Sequence, residues 1–153
     1  MYKVSKTFKF PFGHRLSLHK GACRNPHGHN AKLKIQLSSN TLNENGMIID
    51  FSDFKNIVND IIIKQFDHSF ILNNKDTEWV NKFESTGFNM ISVGCEPTAE
   101  NLCRIIFEKL EYYLSEKWRV PGPAIKVEFV RFWENDDSEA EYDGKLNMEC
   151  NCK

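Results

Sequence analysis

The sequence of 153 residues lacks any apolar run approaching the ~18 residues that span a bilayer as a helix, so no membrane span is expected. A signal peptide's apolar core is missing too. The first residues enter a strand-like alternation at once, which points to the cytoplasm. Its five cysteines (23, 95, 103, 150 and 152) are odd in number and scattered, which speaks against a disulfide framework and for reduced thiols. Neither a linker nor an internal repeat divides the chain, so one domain is expected over 1–153. Acidic residues are absent before Glu44, whereas Lys3, Lys6, Lys9, Arg15, Lys20, Arg24, Lys32 and Lys34 all precede it. Glu134, Asp136, Asp137, Glu139, Glu141, Asp143 and Glu149 crowd the other end, and the formal net charge of −1 argues against nucleic acid as the main partner. This polarity has two readings: complementary strand surfaces, or a basic end that attracts an anionic substrate.

Residues 2–12 alternate, with Tyr2, Val4, Phe8, Phe10 and Phe12 on one face, and His14 continues their parity. Pro11 and Gly13 would permit a bulge there that turns His14 toward a site. A second strand is expected over 27–38, with Ala31, Leu33, Ile35 and Leu37 inward. Asp50 or Ser52 is placed to cap a helix whose stripe is Phe54, Ile57, Val58, Ile61 and Ile62. Trp79, Val80 and Phe83 fit a short helix, Met90–Val93 an extended piece. A long helix follows Pro97-Thr98, with Leu102, Ile105, Ile106, Leu110, Tyr113 and Leu114 inward. After the Pro121-Gly122-Pro123 turn, Ile125, Val127, Phe129 and Trp133 would share one face of a strand. Residues 135–153 form an acidic tail or add an edge strand over Tyr142–Met148. Strands and helices in this order describe an α+β domain, with helices on one face of an antiparallel sheet.

His27 and His29 lie two apart at a strand start, so their imidazoles share a face about 7 Å apart along the chain. If the strand ending at His14 pairs with theirs, three imidazoles converge. Three nitrogen ligands with no fourth side chain are the pattern of a catalytic zinc that keeps one position open. Histidines on a strand are also often merely packed or solvated, and spacing alone leaves both readings standing.

The chain resembles the family of 6-pyruvoyl-tetrahydropterin synthase and 6-carboxy-tetrahydropterin synthase. The resemblance is carried by Phe12-x-His14-x-Leu16, Cys23-x3-His27-Gly28-His29, Gly46-Met47-Ile48-Ile49-Asp50-Phe51, Phe66-Asp67-His68-x3-Leu72-Asn73, Pro97-Thr98-Ala99-Glu100-Asn101 and Glu134, in the family's order. Three residues between Cys23 and His27 are similar to the bacterial carboxy-forming branch; the pyruvoyl-forming branch has a longer gap.

What the resemblance implies is specific. The fold would be the T-fold (tunnelling fold), forming a homohexamer as a dimer of trimers with active sites at subunit interfaces. His14, His27 and His29 would hold Zn2+. Cys23 would be the catalytic base, helped by zinc and Arg24, with Asp67 and His68 as a proton-transfer pair. Glu134 would anchor the pterin ring, although Asn135 replaces the threonine usual after it, and Thr98 and Glu100 would help hold the ring. Arg15, Lys20 and Arg24 are the basic residues nearest the histidines and so the candidates for the triphosphate. The implied activity is a lyase converting 7,8-dihydroneopterin triphosphate to 6-carboxy-5,6,7,8-tetrahydropterin, acetaldehyde and triphosphate in queuosine biosynthesis. The pyruvoyl-forming elimination and a non-catalytic pterin- or metal-binding module are the alternatives. Retention of Cys23, Asp67 and His68 argues against the module, since simple binding needs none of them.

Overall fold

A computed structural model describes residues 1–118 and 121–145. Two long strands, β1 (Tyr2–His14) and β2 (His27–Ser39), pair antiparallel in one register from Tyr2 opposite Ser39 to His14 opposite His27. No bulge interrupts β1 at Pro11 or Gly13. His14 reaches the site simply by keeping the parity of Phe8, Phe10 and Phe12, all buried. Gly13 is demanded by a neighbour instead, because a Cβ there would lie 2.5 Å from Phe70 Cδ2.

From β2 the chain enters α1 (Phe51–Val58), a π-helical segment Asn59–Ile63 and a last turn, α2 (Lys64–Phe66). Asp50 caps the start by accepting from the Ser52 backbone N–H. Phe54, Ile57, Val58 and Ile62 are buried as the stripe requires, while Ile61 is only partly buried. β3 (Phe70–Asn73) and β4 (Met90–Val93) flank a short helix, α3 (Thr77–Thr86). The long α4 (Ala99–Glu116) leads to β5 (Lys126–Trp133) and β6 (Glu139–Tyr142).

The strand order is β4-β3-β1-β2-β5-β6. β1, β2, β5 and β6 are antiparallel, as expected, but β3 pairs parallel with β1 and β4 parallel with β3, so the sheet is mixed. β3 pairs only with the last two residues of β1, Gly13 opposite Phe70 and His14 opposite Ile71, and continues past the end of β1 in the same direction. The α1–α2 run and α4 bury the face carrying Phe8, Phe10, Leu33 and Ile35. α3 lies elsewhere, with Phe83 stacked on the Phe70 ring at 4.5 Å.

β5 departs from simple alternation. Its register against β2 slips between Gln36 and Leu37, with Gln36 opposite Phe129 and Leu37 opposite Val127. Beyond this bulge Val130 and Phe132 point inward, and Phe129 and Trp133 turn to the other face. There the Lys32 ammonium sits over the Trp133 ring, and Arg131 and Lys34 over Phe129. The slip corrects the shared face expected for residues 125–133, and it places Glu134 on the inward side. Among the described residues the edge strand is Glu139–Tyr142, which begins earlier than expected; Leu146–Met148, Cys150 and Cys152 lie outside the described residues. Cys95 and Cys103 are buried free thiols, and Cys23 is free and half-buried. Lys3 pairs with Glu128 at 2.7 Å across the strands, so part of the charge polarity is complementary strand surface.

Candidate active site

The antiparallel register sets His14 directly opposite His27, with His29 one rung inward beside Phe12. The three rings lie with centroids 4.5 to 5.1 Å apart. His14 Nδ1 is 2.8 Å from the Pro97 carbonyl and His27 Nδ1 is 2.7 Å from the Asn25 carbonyl. A carbonyl can only accept, so each Nδ1 is the donor and Nε2 is the nitrogen that faces the group. His14 Nε2 and His29 Nε2 are buried with no protein hydrogen-bond partner among the described residues. Burial, with further push from His27 and His29, lowers the His14 pKa to about 4 despite the Pro97 bond. Burial lowers that of His29 as well, with His27 adding to it. These are neutral imidazoles with orphaned nitrogens.

One ligand atom from each histidine falls within 4.8 Å of the others. Zinc with bonds of about 2.0–2.1 Å would hold three such nitrogens about 3.3 Å apart. The donor set fits a metal ion on its chemistry: His14 and His27 each turn Nδ1 to a backbone carbonyl, which leaves Nε2 for a metal, and the buried Nε2 of His29 lies beside them.

Glu134 borders this group, with Oε1 3.6 Å from His14 Nε2 and Oε2 3.9 Å from His29 Nε2, too far for hydrogen bonds. Burial raises its pKa; His27 opposes this and Glu100 reinforces it. Glu134 also lines a cavity of about 320 Å³ with Leu16, Thr98, Glu100, Ser138 and Glu139. Its acidic wall favours a ligand edge rich in N–H donors. Thr98 both lines this cavity and caps α4, accepting from the Asn101 N–H at 3.3 Å. Asn135 supports the turn beyond Glu134 by accepting from the Ser138 N–H at 3.0 Å.

Cys23 sits in a short 3₁₀ turn, Ala22–Arg24, within the loop that joins His14 to His27. The Leu16 N–H donates to the Cys23 carbonyl at 2.9 Å and folds the loop on itself. Arg15 does not face solvent as a triphosphate contact would. It is 7% exposed, its Nη1 donates to Asp76, its Nε donates to the Arg24 carbonyl, and its guanidinium covers Trp79. Those bonds commit Arg15 to holding the loop, leaving Lys20 and Arg24 as the loop's exposed cations.

The Asp67-His68 pair is formed: His68 Nδ1 donates to Asp67 Oδ1 at 2.7 Å, leaving Nε2 available as a base. His68 adopts a left-handed backbone, φ 55°, and its N–H donates to the Pro11 carbonyl. The pair stands on the β3 side of β1, with the His68 side chain 78% exposed, beside a groove of about 370 Å³ lined by Gly13, Phe70, Phe83 and Phe88. The chain does not bring it into the histidine group.

A sequence model described as 6-pyruvoyl tetrahydropterin synthase matches residues 3–145. The chain belongs to the 6-pyruvoyl tetrahydropterin synthase family. Among curated members, the 6-carboxy-5,6,7,8-tetrahydropterin synthase of Haemophilus influenzae is 32% identical over 148 residues, covering 93% of this chain and 99% of that one. The Aquifex aeolicus protein of the same name is 34% identical, covering 92% and 97%. The fold agrees. An uncharacterized protein from Wolinella succinogenes superposes with a TM-score of 0.75 at 23% identity, covering 94% of this chain and 98% of that one. The 6-pyruvoyl tetrahydropterin synthase of Caenorhabditis elegans superposes with a TM-score of 0.63 at 23% identity, covering 94% and 96%. The T-fold of the 6-pyruvoyl tetrahydropterin synthase family is therefore the fold of this chain, and a tetrahydropterin-synthase-type lyase is the activity that goes with it. In this member the sequence reading missed the Pro97 carbonyl that sets His14, and the Ser138 and Glu139 side of the cavity. A backbone acceptor leaves no residue signature, and Ser138 and Glu139 look like an ordinary acidic turn.

Proposed function

We propose that this protein is a zinc-dependent 6-carboxy-5,6,7,8-tetrahydropterin synthase that acts on 7,8-dihydroneopterin triphosphate. It would release acetaldehyde and triphosphate and serve queuosine biosynthesis. The observation that carries the reading is the convergence of His14, His27 and His29, with His14 Nε2 and His29 Nε2 buried without a protein partner among the described residues and Glu134 alongside. Full-length likeness to relatives named for the carboxy-forming reaction supports that branch over the pyruvoyl-forming one.

The residues divide the work. Glu134 receives the amino-pyrimidine edge of the pterin, where parallel N–H donors suit a carboxylate, with Thr98 and Glu100 on the same cavity wall. Lys20 and Arg24 meet the triphosphate. Cys23 removes a proton from the substrate side chain, and the Asp67-His68 pair moves a second proton through His68 Nε2. When bound by the three histidines, zinc supplies a Lewis acid toward the side-chain oxygens. The exposure of His68 and its distance along the sheet support a pair that serves the site of a neighbouring subunit in a homohexamer.

The test is metal content. Zinc should bind one per chain in the wild type and be absent from His27→Ala, with activity lost and the fold kept. Full zinc occupancy in His27→Ala, by elemental analysis, would exclude the site.

A further inference from the structure

Glu96, in the turn before α4, has none of the roles above, yet it joins three parts of the site. Its Oε1 accepts from Ser17 Oγ at 2.5 Å and from Asn73 Nδ2 at 2.7 Å, and its Oε2 faces the Leu18 N–H at 3.4 Å. Asn73 is buried at the end of β3, so the carboxylate is braced from the sheet. The Glu96 carbonyl accepts from the Thr98 N–H at 2.8 Å and from Asn101 Nδ2 at 2.9 Å, which fixes the start of α4. The next carbonyl, that of Pro97, receives His14.

On the far side of these bonds lies the Cys23 loop. Ser17 and Leu18 adjoin Leu16, whose N–H holds the Cys23 carbonyl. Arg15 and Asp76 secure the loop's other flank through the Arg24 carbonyl. Thus residues 96–98 reach the histidine group through one carbonyl, the acidic cavity through Thr98, and the thiol loop through one side chain. Hydrogen bonds to a carboxylate are about twice as strong as neutral ones. They cross from position 96 to position 17, so they order tertiary structure that the loop's own sequence does not.

We propose that Glu96 is a positioning residue that fixes the loop carrying Cys23 against the histidine group. The inference rests on the reading of Cys23 as catalytic base. In zinc-loaded full-length protein, iodoacetamide labelling of Cys23 is followed by peptide mass spectrometry, which separates it from the other four cysteines. Glu96→Ala should accelerate Cys23 labelling by about threefold or more at unchanged zinc content. It should also lower kcat by about tenfold or more, with a much smaller change in KM. Glu96→Gln keeps an oxygen for Ser17 and Asn73 and should label at less than about three times the wild-type rate. Glu111→Ala loses a bond to the Val127 N–H elsewhere in the fold and should leave Cys23 labelling unchanged. A Glu96→Ala rate within about threefold of wild type overturns the proposal, as does equal acceleration in Glu96→Gln or Glu111→Ala. Should Glu96→Ala fail to fold, Ser17→Ala takes its place: acceleration of about threefold or more supports the anchoring, and a smaller change overturns it. Labelling needs no substrate, so accelerated labelling beside a wild type that turns nothing over would refute the proposed activity and leave the anchoring intact.

Discussion

The histidine group makes the metal-free protein sensitive to mild acid, and His14 sets the scale. Its pKa is about 4 in the folded chain against 6.5 for the free side chain, chiefly through burial. A folded-state value below the unfolded one means the unfolded chain binds more protons between the two. The stabilisation is therefore complete above about pH 6.5 and is lost as pH falls toward about 4. At 1.36 kcal/mol per unit, His14 alone removes about 2 kcal/mol by pH 5 and about 3 kcal/mol by pH 4. His29 shifts in the same direction, while Glu134, raised by burial, works against them as it protonates. Asp50, Glu78, Glu128 and Asp143 have lowered pKa values and lose stability only near or below their ordinary range, so between pH 5 and 6.5 the histidines are opposed chiefly by Glu134, and a His14 variant separates the two. The assay is urea unfolding of chelator-treated protein at one fixed protein concentration, since an oligomer's stability depends on it. His14→Gln removes the titrating ring and should flatten the slope by about 2 kcal/mol over this window. The same slope in wild type and His14→Gln would refute the reasoning.

Cys23→Ala should keep zinc and pterin binding while losing turnover; loss of zinc with the thiol would make Cys23 a metal ligand. Gly13→Ala forces a Cβ to 2.5 Å from Phe70 Cδ2 at the β1–β3 junction. It should cost about 1–3 kcal/mol by urea midpoint, and an unchanged midpoint would contradict the close packing assigned there. Cys23→Ala and His68→Ala should each be inactive alone and regain a fraction of activity when co-assembled. Well-mixed oligomers that stay inactive would place the pair and the thiol in one subunit's site.

How much of this was legible in the sequence depends on the range of the contacts. β1 and β2 follow from alternation, and the histidine group follows with them, because His14, His27 and His29 keep the inward parity of Phe12 and Ala31. The helix stripe of Phe54, Ile57 and Val58 is equally local. The π-helical segment is not, since its apolar residues suit an ordinary helix too. β5 misleads because one slip against β2 reverses which side chains point inward, and Phe129 is as apolar as Val130. β3 is four residues between a helix end and a turn, too short for a period to show. Arg15 reads as a free cation until Asp76, 61 positions away, comes beside it. Glu96 reads as a surface carboxylate until Ser17 and Asn73 converge on it.

The central claim is the carboxy-forming reaction at a three-histidine zinc site, and its most direct test is the product made by zinc-loaded protein from 7,8-dihydroneopterin triphosphate. The expected products are 6-carboxy-5,6,7,8-tetrahydropterin, acetaldehyde and triphosphate in equal amounts. Triphosphate with a 6-pyruvoyl pterin and no acetaldehyde would contradict it.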